Sequence, residues 1–254
     1  MSAKQSVKQA MILAAGRGSR LSPITDTTPK ALVPFLGRPL LEHAAAHLVN
    51  AGVERIAVNV HHLGAQVAQH VEEVLAPRHS HVEWHVAYED ELLGTGGALS
   101  NLRDWFDDGP FFVVNADAVF DADLLELAAS RQHSGADAVW MTTREPLYAA
   151  LRVVSTTAEG ELNAIAPEAL EDGTTFCGVH VATQGLLDTL PKGASCVVRD
   201  GYLPWIKRGA KVGTWETKGF WADTGTPARY IDAHQRGLEL VERWRSLGLL
   251  ESAC

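Results

Sequence analysis

Apolar residues in the first half of the chain follow two alternating rhythms. Ala10-Met-Ile-Leu-Ala14 is a short continuous apolar run, the pattern of a strand buried on both faces. Leu40, Leu41, Ala44, Ala45, Leu48 and Val49 then recur at helical spacing, and Gly52 stands where that helix should close. Arg55-Ile-Ala-Val-Asn59 predicts a second strand, and Leu63, Val67, Val71 and Val74 predict a second amphipathic helix. His81-Val-Glu-Trp-His-Val86 alternates strictly. A strand there would set Val82, Trp84 and Val86 on one face and leave His81, Glu83 and His85 on the wet one. Phe111-Phe-Val-Val114 is a further buried strand, and Asp121 is placed to cap the helix that carries Leu124, Leu125, Leu127 and Ala128.

Strand and helix in alternation predict a parallel sheet with helices on both faces, a Rossmann-like α/β architecture. The second half is less regular. Residues 137–143, 151–155 and 178–182 read as strands with few long helical patterns among them, expected to extend or cover the sheet as a partly antiparallel lobe. Thr226-Pro227 is a cap followed by a first-turn proline and predicts a last helix carrying Tyr230, Ile231, His234, Leu238 and Val241. No linker-like composition break or internal repeat interrupts the chain. The expectation is a single domain over 1–254 with a mixed, mainly parallel sheet, a regular half at 9–135 and a second lobe at 136–235.

Composition narrows the chemistry. The 254 residues are 46% hydrophobic and 21% charged, ordinary for a protein with a large core. A formal net charge of −9 offers no broad positive field, so no nucleic-acid partner is expected and any phosphate site must gather its cations locally. Cys177, Cys196 and Cys254 form no CxxC pair and are odd in number, which suggests neither a disulfide framework nor a zinc site and points to a reducing cytoplasm. The apolar run from Met11 to Ala15 is too short for a membrane span or a signal-peptide core, so no membrane partner is expected. Of the eleven histidines, His81 and His85 read as a solvated strand face and His61-His62 as loop. Asp104, Asp107 and Asp108 read as a solvated turn, and Trp105, Trp140, Trp205 and Trp215 as core or edge aromatics.

Candidate chemistry begins just after the first strand, at Gly16-x-Gly18-x-Arg20. Glycines there can bring backbone N–H groups close to a phosphate. The pattern is not the dinucleotide fingerprint, because Leu21 stands where a third glycine would fall, and no Gly-Lys-Ser/Thr follows. A plain tight turn is an equal reading of the glycines alone. The following stretch, Leu21-Ser-Pro-Ile-Thr-Asp-Thr-Thr-Pro29-Lys30, is stiffened by proline, and with it Arg17, Arg20 and Lys30 collect positive charge around one loop. Lys30 by itself could be an ordinary solvated lysine. Asp117 follows an apolar strand, where parallel sheets place ligand-binding residues, and Asp223 lies in a Trp- and Gly-rich turn; a helix cap and a turn-former are the competing readings.

The ordered string Ala14-Ala-Gly-Arg-Gly-Ser-Arg-Leu-x-Pro-x-Thr, then Thr28-Pro-Lys30, resembles the signature of the sugar-1-phosphate nucleotidyltransferases. Leu93-Gly-Thr-Gly-Gly-Ala-Leu99, Asn115-Ala-Asp117 and Trp221-x-Asp223-x-Gly225-Thr-Pro227 match later family segments in order, so the resemblance runs from about residue 9 to 235. It is nearest to the short mannose-1-phosphate guanylyltransferases and N-acetylmuramate-1-phosphate uridylyltransferases. What it implies is a glycosyltransferase-A-like fold with a nucleotide-binding half at 9–135 and a sugar-binding, metal-completing half at 136–235. The implied reaction joins a nucleoside triphosphate to a sugar 1-phosphate and releases pyrophosphate.

The resemblance also assigns roles. Arg20 and Lys30 would be catalytic. Leu13, Ala14, Ala15, Gly16, Arg17, Gly18, Ser19, Glu89, Gly94, Thr95, Gly96 and Asn115 would bind the nucleotide, and Asp117 and Asp223 would hold Mg²⁺. Glu89, Asp90 and Glu91 precede the second glycine loop, and a carboxylate there suits guanine somewhat better than uracil or thymine. Glu168, Gly178 and Trp221 would contact the sugar, with Thr142 and Arg144 as further candidates. Two departures stand out: Ala116 replaces the family's usual glycine, and Glu168 lacks the lysine that usually follows it. The length leaves no room for the β-helix of larger relatives, so a monomer or homodimer is expected. Rival readings are a non-catalytic nucleotide-sugar-binding relative, a cofactor-binding dehydrogenase and a cytidylyltransferase acting on a non-sugar phosphate.

Overall fold

The apolar runs of the sequence become the interior of one sheet. In the computed structural model, which describes residues 6–246, four strands run parallel: β1 (Gln9–Leu13), β2 (Arg55–Val60), β3 (Glu83–Tyr88) and β4 (Phe111–Asn115). β1 lies between β4 and β2, and β3 pairs with β2 at the edge. Further strands that bear on the site are β5 (Ala118–Phe120), β6 (Ala138–Thr143), β7 (Thr175–Ala182), β8 (Val212–Glu216) and β9 (Trp221–Asp223). The sheet order is β8-β6-β7-β4-β1-β2-β3, with β7 antiparallel to both neighbours and β8 parallel to β6. Both halves of the chain therefore share one mixed, mainly parallel sheet in a single domain.

Helices cover both faces. α1 (Leu40–Asn50) closes at Gly52, whose φ of 78° is the left-handed conformation that glycine adopts without steric cost. α2 (Gly64–His70) stays helical to Arg78 through a wide turn at Val71–Leu75. With α4 (Leu124–Ser134) these pack on one core, built around Ile12, Leu48, Val58, Val114 and Leu127. The opposite face is covered by α3 (Gly94–Asn101), α5 (Gln184–Thr189) and α6 (Leu203–Lys207) over Met11, Leu99, Val113 and Tyr202. Among the described residues no helix is long and apolar enough to cross a membrane. Cys177 and Cys196 are free thiols, and Cys254 lies outside the described residues.

Several expectations are corrected in detail. The alternating strand starts at Glu83 rather than residue 81; Val82 is buried just ahead of it and His85 stacks on Trp105 with ring centroids 5.8 Å apart. The cap of α4 is Asp123, whose Oδ1 accepts the Leu125 N–H at 2.8 Å. Asp121 is instead buried and ion-paired with Arg243 at 3.1 Å. Residues expected to be strand at 151–155 begin as a 3₁₀ segment, Pro146–Leu151, and the strand Val154–Thr156 pairs outside the main sheet with Leu162–Ile165. The last predicted helix is two: α7 (Pro227–Gly237), capped by Thr226, then α8 (Val241–Ser246).

One small pairing matters more than its size. β5 and β9 form a two-stranded antiparallel ribbon with Trp221 opposite Phe120 and Asp223 opposite Ala118. That register sets Asp223 beside the residue that follows Asp117, although the two aspartates are far apart in the chain.

Candidate active site

The parallel strands β1, β2 and β4 end on the same edge, and a cavity of about 340 Å³ opens over those ends. Its wall includes Leu13, Ala14, Ala15, Gly16, Gly18, Ser19, Arg20, Lys30, Gly94, Thr95, Asn115 and Asp117, all anticipated from the sequence. Asn59, Leu92, Ala116 and Gly225 complete much of the rest. Arg17 is exposed and stands off this wall.

Local packing explains the first glycine loop. Gly18 has φ 65°, and a Cβ there would lie 2.9 Å from both Lys30 Cβ and Thr25 Cγ2. Thr25 Oγ1 donates to the Gly18 carbonyl at 2.8 Å, tying the loop to the segment that delivers Lys30. Gly16 has nothing within 4 Å of the position a Cβ would take, so its backbone faces open space. Behind the loop, Ala14 N–H donates to Asn59 Oδ1 at 2.8 Å, and Asn59 Nδ2 donates to Glu89 Oε1 at 2.7 Å. Glu89 Oε2 accepts the Leu93 N–H at 3.0 Å. Glu89 is thus a buried brace with both oxygens engaged, behind the wall instead of in the cavity where a base contact would need it.

The second glycine loop forms the first turn of α3, and its glycines answer to protein packing. A Cβ on Gly94 would stand 2.6 Å from the Ser195 carbonyl oxygen, one on Gly96 2.7 Å from Ser195 Oγ, and one on Gly97 2.4 Å from the Gly193 carbonyl oxygen. Thr95 Oγ1 accepts the Val197 N–H at 3.0 Å. The glycines let residues 193–197 dock against the helix, a packing role beside the nucleotide contacts that the resemblance implies for Gly94, Thr95 and Gly96. Gly94 and Thr95 reach the cavity wall; Gly96 does not.

The charged groups come together beside the strand ends. Lys30 is ion-paired with Asp117, and Arg229 with Asp223. Thr224 Oγ1 donates to the Asp117 carbonyl at 3.1 Å, Gly225 N–H donates to Asp223 Oδ1 at 2.6 Å, and Asp223 N–H donates to the Tyr148 hydroxyl at 3.1 Å. Burial raises the Tyr148 phenol's pKa, so it stays a neutral acceptor. A Cβ on Gly225 would stand 2.7 Å from Asp223 Oδ1 and 3.0 Å from Arg20 Nη2, which puts the Arg20 guanidinium beside Asp223. Two carboxylates at facing strand ends are a hard-oxygen donor set. They fit Mg²⁺, which commonly takes one or two protein carboxylates and completes its shell with phosphate oxygens and water. No third acidic or histidine ligand joins them among the described residues.

The sugar-side candidates lie elsewhere. Gly178 is buried with φ 73°, and a Cβ there would stand 2.5 Å from Asn115 Nδ2; the glycine makes room for Asn115 and is not on the wall. Trp221 is a buried brace, donating Nε1–H to the Cys177 carbonyl at 3.0 Å and meeting Tyr148 edge-on at 4.6 Å. Glu168 is exposed on the loop after the Leu162–Ile165 strand and stands off the wall. Thr142 is buried in β6, and Arg144 pairs with Glu216 at 3.1 Å.

Four contributors escaped the sequence reading: Asn59, Leu92, Tyr148 and Arg229. Asn59 carried a signal, being a polar residue near the end of an otherwise apolar strand. Arg229 also carried one, sitting in the first turn of a capped helix just after Asp223.

A family model described as "Nucleotidyl transferase" matches residues 9–239. A relative from Xenopus tropicalis named mannose-1-phosphate guanylyltransferase catalytic subunit beta is 26% identical over 228 residues, covering 88% of this chain and 62% of its own length. A probable mannose-1-phosphate guanylyltransferase 2 from Arabidopsis thaliana is 29% identical over 235 residues, 88% of this chain and 63% of that protein. The chain therefore matches just under two thirds of these relatives' length. Among solved structures, HddC from Yersinia pseudotuberculosis complexed with GMP-PN superposes with a TM-score of 0.75 at 22% identity, covering 91% of this chain and 99% of that one. A UDP-glucose pyrophosphorylase from Acinetobacter baumanii superposes at 0.76 with 20% identity, covering 96% and 99%. These last two likenesses are of fold.

Proposed function

The chain belongs to the nucleotidyl transferase family, and on that premise we propose that it joins a nucleoside triphosphate to a sugar 1-phosphate with release of pyrophosphate. The observation that carries this reading is the convergence of Arg20, Lys30, Asp117 and Asp223 at one end of the sheet, beside a cavity lined by Leu13, Ala14, Ala15, Gly16, Gly18 and Ser19.

The chemistry follows from the charges. A phosphate oxygen of the sugar 1-phosphate attacks the α-phosphorus in line, the bond to the bridging oxygen breaks, and pyrophosphate leaves with the electron pair. The nucleophile's second ionisation lies near pH ~6, so it is largely dianionic at neutral pH and needs no general base. The obstacle is mutual repulsion of two anions. N–H groups of Gly16 to Ser19, with Arg20 and Lys30, hold the triphosphate and take up charge on the departing pyrophosphate. A magnesium ion held by Asp117 and Asp223 would, when bound, offset charge on both phosphoryl groups.

For the substrates we favour GTP with a mannose- or heptose-type 1-phosphate. Support comes from the relatives named as mannose-1-phosphate guanylyltransferases. Glu89 gives no independent support for guanine, because its carboxylate is spent on Asn59 and Leu93. UTP with an N-acetylmuramate-type 1-phosphate is the second pairing. Magnesium dependence and a cytoplasmic setting belong to the same reading. Purified protein assayed with four triphosphates against mannose, heptose and N-acetylmuramate 1-phosphates should release pyrophosphate fastest with GTP and a manno-configured sugar. Binding of nucleotide sugar without pyrophosphate from any pair would replace the enzyme with a non-catalytic relative.

A further inference from the structure

The two oxygens of Asp223 serve different parts of the molecule. Oδ1 accepts the N–H of Gly225, a residue of the cavity wall, whereas Oδ2 takes the guanidinium of Arg229, which is not on that wall. Arg229 projects from the first turn of α7. Its guanidinium carbon lies 5.7 Å from the ring centroid of Tyr148. Tyr148 belongs to the Pro146–Leu151 segment, and its carbonyl accepts the Thr175 hydroxyl, at the start of β7, at 3.3 Å. Arg229 therefore meets the carboxylate pair from the side of Tyr148 and β7, while Lys30 meets it from the side of the first glycine loop.

Neighbouring arginines have acids of their own. Arg236 pairs with Glu145 at 2.6 Å and Asp232 at 3.4 Å, and Arg144 pairs with Glu216 at 3.1 Å. Arg229 differs: among the described residues its acidic partner is Asp223 alone, the carboxylate that would hold the metal. A carboxylate engaged by a divalent ion no longer neutralises the guanidinium. The Arg229 side chain is only 31% exposed, and a partly buried charge left without a counter-ion is costly. A phosphate monoester answers that need, with two negative charges and oxygens that match the planar fork of donors. The first turn of the eleven-residue α7 adds a helix dipole that also favours an anion.

We propose that Arg229 receives the phosphate of the sugar 1-phosphate, exchanging its bond to Asp223 for one to that phosphate when the carboxylate goes to the metal. This rests on the reaction proposed above. The matching exchange at Asp117 releases Lys30 toward the triphosphate. Each substrate then meets a cation set free from one carboxylate, and the two arrive from different sides of the pair.

The test is calorimetric binding of mannose 1-phosphate, and separately of inorganic phosphate, to the full chain. Magnesium and the non-hydrolysable analogue of the best-bound triphosphate are held at saturation. Arg229→Met should weaken both probes by about tenfold or more, the usual loss for one charge-assisted hydrogen bond, and leave the affinity for the analogue unchanged. Methionine suits a helix, so the variant should fold, and Arg229→Lys should recover part of the loss. Without magnesium, Asp223→Asn should bind phosphate more tightly than wild type, because no carboxylate then holds Arg229; adding Arg229→Met should erase that gain. A residue that only braced Asp223 would produce no such gain. Loss of both probes supports the assignment. Arg229-dependent binding of phosphate, with mannose 1-phosphate unbound by wild type, supports it for the phosphate and moves the choice of sugar. Equal phosphate binding by wild type and Arg229→Met, or a parallel loss of the analogue, overturns it and leaves the reaction standing. If wild type binds neither probe, the assignment and the reaction fall together.

Discussion

Lys30 is ion-paired with Asp117 across 87 residues of sequence, joining the loop that would hold the triphosphate to the carboxylate that would hold the metal. Asp223 is paired more locally, with Arg229 in the first turn of α7. Each acidic group thus reaches the site with a cation of its own, and in the proposed reading a divalent ion would have to compete with that cation for the carboxylate.

Replacing Lys30 with methionine should therefore have two effects of opposite sense. Pyrophosphate release should fall on the order of 10²–10³-fold, as when one preorganised donor to transition-state charge is lost. The magnesium concentration giving half-maximal rate should drop, because Asp117 is no longer engaged. A steady-state magnesium titration reads both, and an unmoved midpoint would remove Asp117 from the metal site.

Asp223→Asn should abolish the magnesium response while leaving the fold intact. The amide oxygen can still accept the Gly225 N–H that the Oδ1 atom now takes at 2.6 Å. The expected loss is at least about 10²-fold in turnover, with an unfolding midpoint close to wild type. Full activity at saturating magnesium would refute the assignment.

Gly178→Ala tests whether that glycine serves the protein or a sugar. The new methyl would press on the Asn115 amide, and φ 73° strains any L side chain. A cost of about 1–3 kcal/mol is expected for the overpacking alone. In an Asn115→Ala background the amide contacts are removed and only the Cβ contact at 3.2 Å is left, alongside about 1–2 kcal/mol of left-handed strain. A urea double-mutant cycle measures the difference, and strictly additive costs would show that the two residues do not interact.

Acid should loosen the fold from pH 6.5 downward, before carboxylates titrate. Burial lowers His43 to about 4, His47 to about 3 and His180 to about 3 from an ordinary 6.5. Folded protein keeps them neutral while the unfolded chain takes up protons, so stability falls as pH drops through that window. Each histidine contributes at most about 1.4 kcal/mol per pH unit. Glu42, whose burial is outweighed by hydrogen bonds from His70, Arg78 and Arg38, is lowered to about 2 and adds stability present above 4.5 that is lost below it. Denaturant unfolding between pH 7.5 and 5 should show this slope; a flat profile would mean these histidines are not held neutral.

The parts legible in sequence share a physical cause. Strands such as β1 and β4 are buried on both faces, so their apolar runs cannot be mistaken, and the Gly52 and Thr226 end signals are set by local backbone demands. Arg20 and Lys30 stood out as local positive charge beside a glycine loop, whereas Asp117 and Asp223 read equally as a cap and a turn-former until the family resemblance singled them out. What stayed hidden depends on partners remote in sequence. Nothing in residues 175–182 says that this strand runs against its neighbours between β4 and β6. The packing roles of Gly94 and Gly96 were hidden because close approach of backbone and close approach of a base ask for the same missing Cβ. Glu89 has the right chemistry for a base contact, and only the position of Asn59 shows it to be committed.

The β5–β9 ribbon has a consequence for synthesis on the ribosome. Asp117 belongs to the first half of the chain, but the strand bearing Asp223 is made some hundred residues later. In the proposed reading, catalysis would be withheld until translation has carried β9, with the second of the two carboxylates, back to β5.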